Sequence, residues 1–488
     1  MKNFNSSRVF SNNVKPVNPE GDYVLYWMSI NRRLHYNFAL EYAVAWANKL
    51  DKPLLIYEGL SCDIPWASDR FHQFLIEGIV ESVEFCQKNG FNNFSFVESK
   101  PGQGSGLVDE LANNACLVIA DEYPVYIIKP YNRMMSRSVN VPWYTVDSNG
   151  LIPMKTSDKA PYSAFIFRRN MQKLFLESFR NPPQKDPLIN LKNRSSITLS
   201  DEFLNRYPKL STTTDIPKLV ASLQINHEVK ALEISGTRQA AWKQLMDFAE
   251  NRLLKYAENR NNVENGAASG LSPWLHYGKI SAFECVLAAL EMQPADWSQD
   301  KITFQQGKRD GFFGGHPAID AFLDELITWR ETGFHFCHQV HNYDKYESLP
   351  DWAINTLDKH SSDPREHIYS FEDFEMARTH DPIWNAAQRQ LVREGIIHNY
   401  LRMLWGKKVL EWTEHPRIAL KYLIELNNKY AIDGRDPNSY SGIFWIFGRF
   451  DRPWGPERPI YGNIRYMTSD STAKKINLKL YLQKYSTF

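Results

Sequence analysis

Residues 398–440 read HNYLRMLWGKKVLEWTEHPRIALKYLIELNNKYAIDGRDPNSY. Two helical patterns divided by Pro416 run into a polar turn of Gly, Pro, Asp and Asn. Trp405 and Trp412 stand seven residues apart, so they share one helix face two turns apart, about 10 Å along the axis. Arg402 lies three residues before Trp405, on the same side. In the second pattern Ile418, Tyr422, Leu423, Leu426 and Tyr430 mark the face expected to be buried, with the amide of Asn427 at its flank. A cation, an amide, an acidic turn and a line of indoles together suit the surroundings of a bound redox cofactor.

Upstream the pattern changes. At 488 residues the chain is too long for one ordinary core, and two or three domains are expected. After a polar stretch over 1–20, expected to be flexible, the apolar runs YVLYWMS (23–29), PLLIYEG (53–59), FSFVES (94–99), CLVIADEY (116–123) and VPWYTVD (141–147) read as strands. NFALEYAVAWANKL, RFHQFLIEGIVESVEFCQK and GLVDELANNA read as helices between them. This alternation predicts βαβ units and a doubly wound parallel sheet over 21–150. No GxGxxG follows the first strand and no GxxxxGK[ST] occurs, which excludes a dinucleotide fingerprint and a P-loop. A ligand crevice is expected at the sheet's carboxyl edge, with nothing to say what fills it. Residues 151–215, rich in Pro, Ser, Asn and Lys, read as an interdomain connection with one short helix at 171–179. From 216 to 488 strand signals vanish and an all-helical domain is expected. Within it Ser272 and Pro273 suit the N-cap and first position of a helix.

Composition narrows the function classes. A net charge of +1 excludes a uniformly basic nucleic-acid binder. A local patch remains open: from residue 449 onward eight Lys/Arg face three acids, interleaved with Trp454, Tyr461 and Tyr466. Such a stretch serves either a phosphate backbone or a solvated tail. Five widely spaced Cys without a CxxC pair argue for a reducing compartment. With no signal-peptide core and no membrane-length apolar run, a cytosolic protein without a membrane partner is expected. His335, Cys337, His338 and His341 match no common zinc spacing, and no metal is expected. Glu325 and Trp329, at i and i+4, project from one helix face. A carboxylate beside an indole suits a planar, hydrogen-bonding ring, although such a pair is more often a structural neighbour pair. Trp384 follows a helix-starting Pro382, so Trp384, Trp405 and Trp412 form a line of indoles if their helices pack.

The blocks HDPIWNAAQ (380–388), NYLRMLWGKKVLEW (399–412), LNNKYAIDGRDPNSY (426–440) and GNIRYM (462–467), in this order and spacing, resemble the photolyase/cryptochrome family. YWMS (26–29), LSPWLHYGKIS (271–281) and REHIY (365–369) extend the likeness over almost the whole chain, and it is strongest to class II cyclobutane pyrimidine dimer photolyases. The resemblance implies an α/β antenna domain and an all-α domain holding FAD. It also implies light-driven repair of pyrimidine dimers in UV-damaged DNA, by a monomer without an obligate protein partner, acting in the cytoplasm or, in a eukaryote, the nucleus. It matches Glu325, Trp329, Met403 and Trp445 to the lesion pocket, and Trp405, Trp384 and Trp412 to an electron-transfer triad running outward from the flavin. Tyr256, Ser269, Leu271, Ser272, Arg402, Asn427, Asp433 and Gly434 match FAD-binding positions, and Arg260 and Arg465 match DNA contacts. A second antenna chromophore, whether deazaflavin, folate or flavin, is left open. A cryptochrome-type photoreceptor and a (6-4) photolyase, the latter needing His398 or His335 as an acid, are the alternatives. The chain departs from the family at Asn31-Arg32-Arg33, at Phe334-His335 and at FGRFD (447–451).

Overall fold

The computed structural model describes residues 4–264 and 266–488. Six strands form one sheet: β1 (Val9–Ser11), β2 (Tyr23–Trp27), β3 (Leu54–Leu60), β4 (Asn92–Val97), β5 (Ala115–Asp121) and β6 (Trp143–Val146), in the order β1-β6-β5-β2-β3-β4. All neighbours are parallel except β1, which runs antiparallel to β6. Every residue of β5 is buried, as expected of a central strand covered on both faces. Helices α1 (Phe38–Leu50), α2 (Asp69–Asn89), α3 (Leu107–Asn113) and α4 (Ile128–Ser138) make the crossovers. α3 and α4 pack with Leu25, Leu55, Phe94 and Trp143 into one core layer, and α1 lies against β2 and β5. The predicted parallel sheet is present with every expected strand.

Residues 4–20 differ from the expectation of a flexible lead, of which residues 1–3 lie outside the described residues. Residues 9–11 pair with β6, and the buried Arg8 donates to the carbonyls of Asp147, Gly150 and Leu151. Three strand residues have no readable period; only their partner makes them a strand.

The chain divides into two compact units that interleave in sequence. One comprises Met1–Thr156, Phe175–Leu245 and Leu271–Leu287; the other comprises Ser157–Leu174, Met246–Gly270 and Ala288–Phe488. The expected boundary at 216 therefore differs from the structural division. In the first unit Asp69 and Arg70 of α2 donate backbone N–H groups to Asn226 and Val229, and the Trp274 indole donates to the Ser235 carbonyl. These non-local bonds hold 216–245 and 271–287 to the sheet side. The helix expected from Ser272 is in fact two, Ser272–His276 and Ala282–Glu291. Leu271, already helical in backbone, takes the N-cap position, and no side chain caps the turn.

In the second unit, α5 (Ala164–Arg180, begun here and completed in the first unit) is longer than the predicted 171–179. The later elements of this unit include α6 (Pro317–Leu323), a π-helical turn Asp324–Trp329, α7 (Arg330–Gln339), α8 (Pro382–Glu394), α9 (Asn399–Trp412), α10 (Pro416–Tyr430) and α11 (Pro437–Ile446). α6, α8, α10 and α11 each open with Pro, and the side chains of His316, Asp381, His415 and Asp436 accept from their first free N–H groups. Two crossings need glycine. A Cβ on Gly406 of α9 would stand 1.9 Å from Ile446 Cδ1, and one on Gly333 of α7 would stand 2.8 Å from Ser441 Oγ. On α10 the buried face comprises Ala419, Leu420, Leu423, Leu426, Asn427 and Tyr430, while Ile418 and Tyr422 are only half-buried. The expected stripe was thus turned by about one residue, because α9 and α11 both pack on this helix. Asn427 lies inside the buried face, not at its flank.

Candidate functional site

The π turn carries the first cluster. The Arg330 N–H reaches back five residues to the Glu325 carbonyl, widening the helix where Glu325 and Trp329 project. The Trp329 ring stacks on Trp445 of α11, centroids 4.7 Å apart and planes at 13°. Both rings are half-buried, as is Met403 on α9. The Glu325 carboxylate pairs with Arg260, and the Arg260 guanidinium also lies 5.8 Å over the Tyr256 ring. Burial pushes the Glu325 carboxyl above the ordinary carboxylate range, and Arg260 pulls it back. Arg260, expected at DNA, is engaged with Glu325. Below the turn Arg168 of α5 clamps Asp324 bidentately, at 2.6 and 2.9 Å. Neither long-range ion pair had a sequence signal, since the partners are 65 and 156 residues apart.

The second cluster joins α9 and α10 with the turn after α10. Arg402 donates to Asp433 at 3.3 Å. Asn427 is 3% exposed, and its amide donates to Asn428 at 3.4 Å. A Cβ at Gly434 would stand 2.8 Å from the Asn427 carbonyl and 2.9 Å from that of Ala431, so glycine lets the acidic turn close against α10. A buried amide beside a cation–carboxylate pair is a donor and acceptor set that fits the polar edge of an isoalloxazine ring. Tyr256 and Ser269 lie in the second unit, whereas Leu271 and Ser272 belong to the first; Leu271 is buried and Ser272 exposed.

The third cluster is the line of indoles. Trp384 stacks on Trp405 at 6.4 Å with planes at 8°, and meets Trp412 edge-on at 6.3 Å. The Trp405 indole N–H donates to Gln388 Oε1 at 2.9 Å, and that of Trp384 to the Trp405 carbonyl at 3.0 Å. All three rings are buried, Trp412 included. Beyond Trp412 come the rings of His380 and Tyr369, at 4.8 and 5.9 Å.

No family model matches the chain, but full-length relatives do. A deoxyribodipyrimidine photo-lyase of Methanothermobacter thermautotrophicus is 33% identical over 480 residues, 98% of either chain. One of Arabidopsis thaliana is 32% identical over 469 residues, 94% of this chain and 88% of the relative. The chain belongs to the deoxyribodipyrimidine photo-lyase family. A class III photolyase from Agrobacterium tumefaciens shares the fold at a TM-score of 0.65 and 17% identity, covering 97% of this chain and 87% of that one.

The departures from the family pattern turn inward. Arg449 lies 4.5 Å over the Phe336 ring and donates to the Ser348 carbonyl. His335 is buried against Phe167, ring centroids 4.9 Å apart. In the first unit Arg32 pairs with Glu58 at 3.0 Å, and Arg33 donates to the Ser148 and Gly278 carbonyls. At the carboxyl edge of β5, Asp121 accepts from the N–H groups of Ser29, Ile30 and Asn31 and from the Tyr26 hydroxyl. These three backbone donors are thus filled by the chain's own carboxylate. Arg465 is exposed, 5.3 Å over Trp454. Among the described residues no group of His, Cys, Asp and Glu is arranged to hold a metal ion, the five Cys are all buried, and no helix is long and apolar enough to cross a membrane. A buried lysine also escaped the sequence reading. Lys407, in the GKK of α9, is 1% exposed and donates its Nζ to the Ile446 carbonyl at the end of α11, at 2.5 Å.

Proposed function

We propose that the chain is a light-driven, FAD-dependent repair enzyme for cyclobutane pyrimidine dimers in DNA. The observation that carries this reading is a carboxyl of raised pKa, Glu325, beside the stacked Trp329–Trp445 pair. The full-length likeness to chains named photo-lyase supports it. FAD, when bound, reduced and excited by light, would lend the electron that splits the dimer and take it back once the two pyrimidines are restored. Asn427, Arg402 and Asp433 hold the polar edge of the ring. Tyr256 and Ser269 are assigned to the rest of the cofactor. The dimer, already poorly stacked, flips out of the duplex and lies against Trp329, Trp445 and Met403. An electron on the dimer makes its carbonyl oxygens strongly basic. Glu325 is positioned to share a hydrogen bond with them, and its partner Arg260 adds a cationic donor. Trp405, Trp384 and Trp412 conduct electrons inward to restore the reduced cofactor; ring contacts near 6.4 Å suit hopping.

The (6-4) alternative requires a histidine acid. His398 is poorly suited: burial lowers its pKa, and its Nε2 proton is committed to the Arg260 carbonyl at 3.1 Å.

The test is repair of DNA containing one defined cyclobutane dimer by reduced protein under blue light. Recovery of intact pyrimidines is expected. No recovery with the flavin fully reduced refutes the reading.

A further inference from the structure

The loop over 302–316 in the second unit is exposed yet pinned. Gly307 N–H donates to Gln172 Oε1 of α5 at 2.8 Å, and Gln172 Nε2 returns a bond to the Lys308 carbonyl at 2.9 Å. The buried Asp320 accepts from the N–H groups of Gly311 and Phe313 at 2.6 and 3.0 Å, and Thr303 N–H closes the base on the Phe312 carbonyl. Gly307, at φ +89°, passes so close under α5 that a Cβ would stand 3.0 Å from Arg169 Cβ. The loop's shape is therefore fixed while its tip faces outward.

Its exposed side chains are of two kinds. Phe304 on the loop and Phe165 on α5 are 45% and 54% exposed. Around them stand the exposed cations Arg169, Lys173, Lys308 and Arg309, against a single acid, Asp310. Lys173 Nζ lies 6.0 Å over the Phe304 ring. Arg309 Nε lies 3.8 Å from Asp324, the residue before Glu325, so the patch adjoins the pocket. Phenyl rings held exposed among like charges suit a polyanion that also offers flat faces, which is nucleic acid with unstacked bases.

We propose that the 302–316 loop and the adjoining face of α5 form a shelf that receives the DNA strand beside the flipped dimer. Lys308, Arg309 and Arg169 meet phosphates, and Phe304 and Phe165 meet the bases or sugars uncovered when the dimer leaves the stack. This rests on the repair reading above.

The test is binding of the full chain to a labelled duplex carrying one dimer, followed across a salt series. For the double variant Lys308→Ala/Arg309→Ala the slope of log Kd against log salt is expected to shrink by roughly 0.9 per contact, about 1.8 in all. The charge-conserving Lys308→Arg/Arg309→Lys control keeps the slope. Phe304→Ala weakens binding roughly tenfold at an unaltered slope. An unaltered slope in the alanine double variant, while the parent binds normally, overturns the shelf and hands the patch to a partner other than nucleic acid. Salt-independent or absent binding by the parent sinks the repair reading and the shelf with it.

Discussion

Lys407 offers a quantitative test of how α9 is tied to α11. Its ammonium group is buried at 1% exposure with one protein acceptor in reach, the Ile446 carbonyl. Burial pushes its pKa down to about 7, the more distant Asp451 opposing and Arg465 reinforcing the shift. Against an unfolded value of ~10.4, that depression corresponds to about 4–5 kcal/mol of destabilisation wherever both states are protonated. The unfolded chain binds the extra proton between about pH 7 and 10.4, so stability rises with pH across that window, by up to ~1.4 kcal/mol per pH unit. Lys407→Met keeps the apolar stem and removes the charge. It also leaves the Ile446 carbonyl unpaired, which costs about 1–3 kcal/mol. At pH 6 the Met variant is expected to be about 2–4 kcal/mol more stable than the parent, and at pH 10 slightly less stable. Denaturant midpoints of parent and variant measured from pH 6 to 10 check this. A stability difference independent of pH refutes a depressed Lys407, and a variant less stable at every pH shows that the hydrogen bond outweighs the buried charge.

Trp384→Phe breaks the centre of the indole line, and is expected to abolish photoreduction of oxidised flavin while chemically reduced protein still repairs; spectra under illumination decide, and photoreduction at the parent rate refutes the route. Glu325→Ala is expected to lower the repair yield about tenfold or more, a charged hydrogen bond being worth ~1.5–3 kcal/mol, with the flavin retained; an unaltered yield refutes the role given to this carboxyl. Arg168→Ala leaves the buried Asp324 carboxylate without its bidentate partner and is expected to cost about 3–5 kcal/mol in thermal or denaturant unfolding. Gly406→Ala forces a methyl into Ile446 and is expected to cost about 1–3 kcal/mol by the same measurements.

What could be read in the sequence was local. Apolar runs located β2 to β6, helical periodicity located α1 to α3, and Pro382 marked the start of α8. The seven-residue spacing put Trp405 and Trp412 on one helix, but only the packing of α8 on α9 brings Trp384 between them. What could not be read depends on partners far along the chain. β1 is a strand only because β6 lies beside it. Arg260 meets Glu325, and Arg168 meets Asp324, across long separations. Lys407 is one of two adjacent lysines, and nothing in GKK tells which of them faces α11. The π turn at 324–329 has no sequence period distinct from an ordinary helix.

The indole hydrogen bonds carry a further consequence. A tryptophan ring that gives up an electron becomes an acid at its N–H. Trp405 and Trp384 bond there to an amide oxygen and a backbone carbonyl, and neither is basic enough to keep the proton. On the proposed electron route the positive hole crosses the first two rings without a proton leaving either, and its inner hops are expected to be indifferent to heavy water.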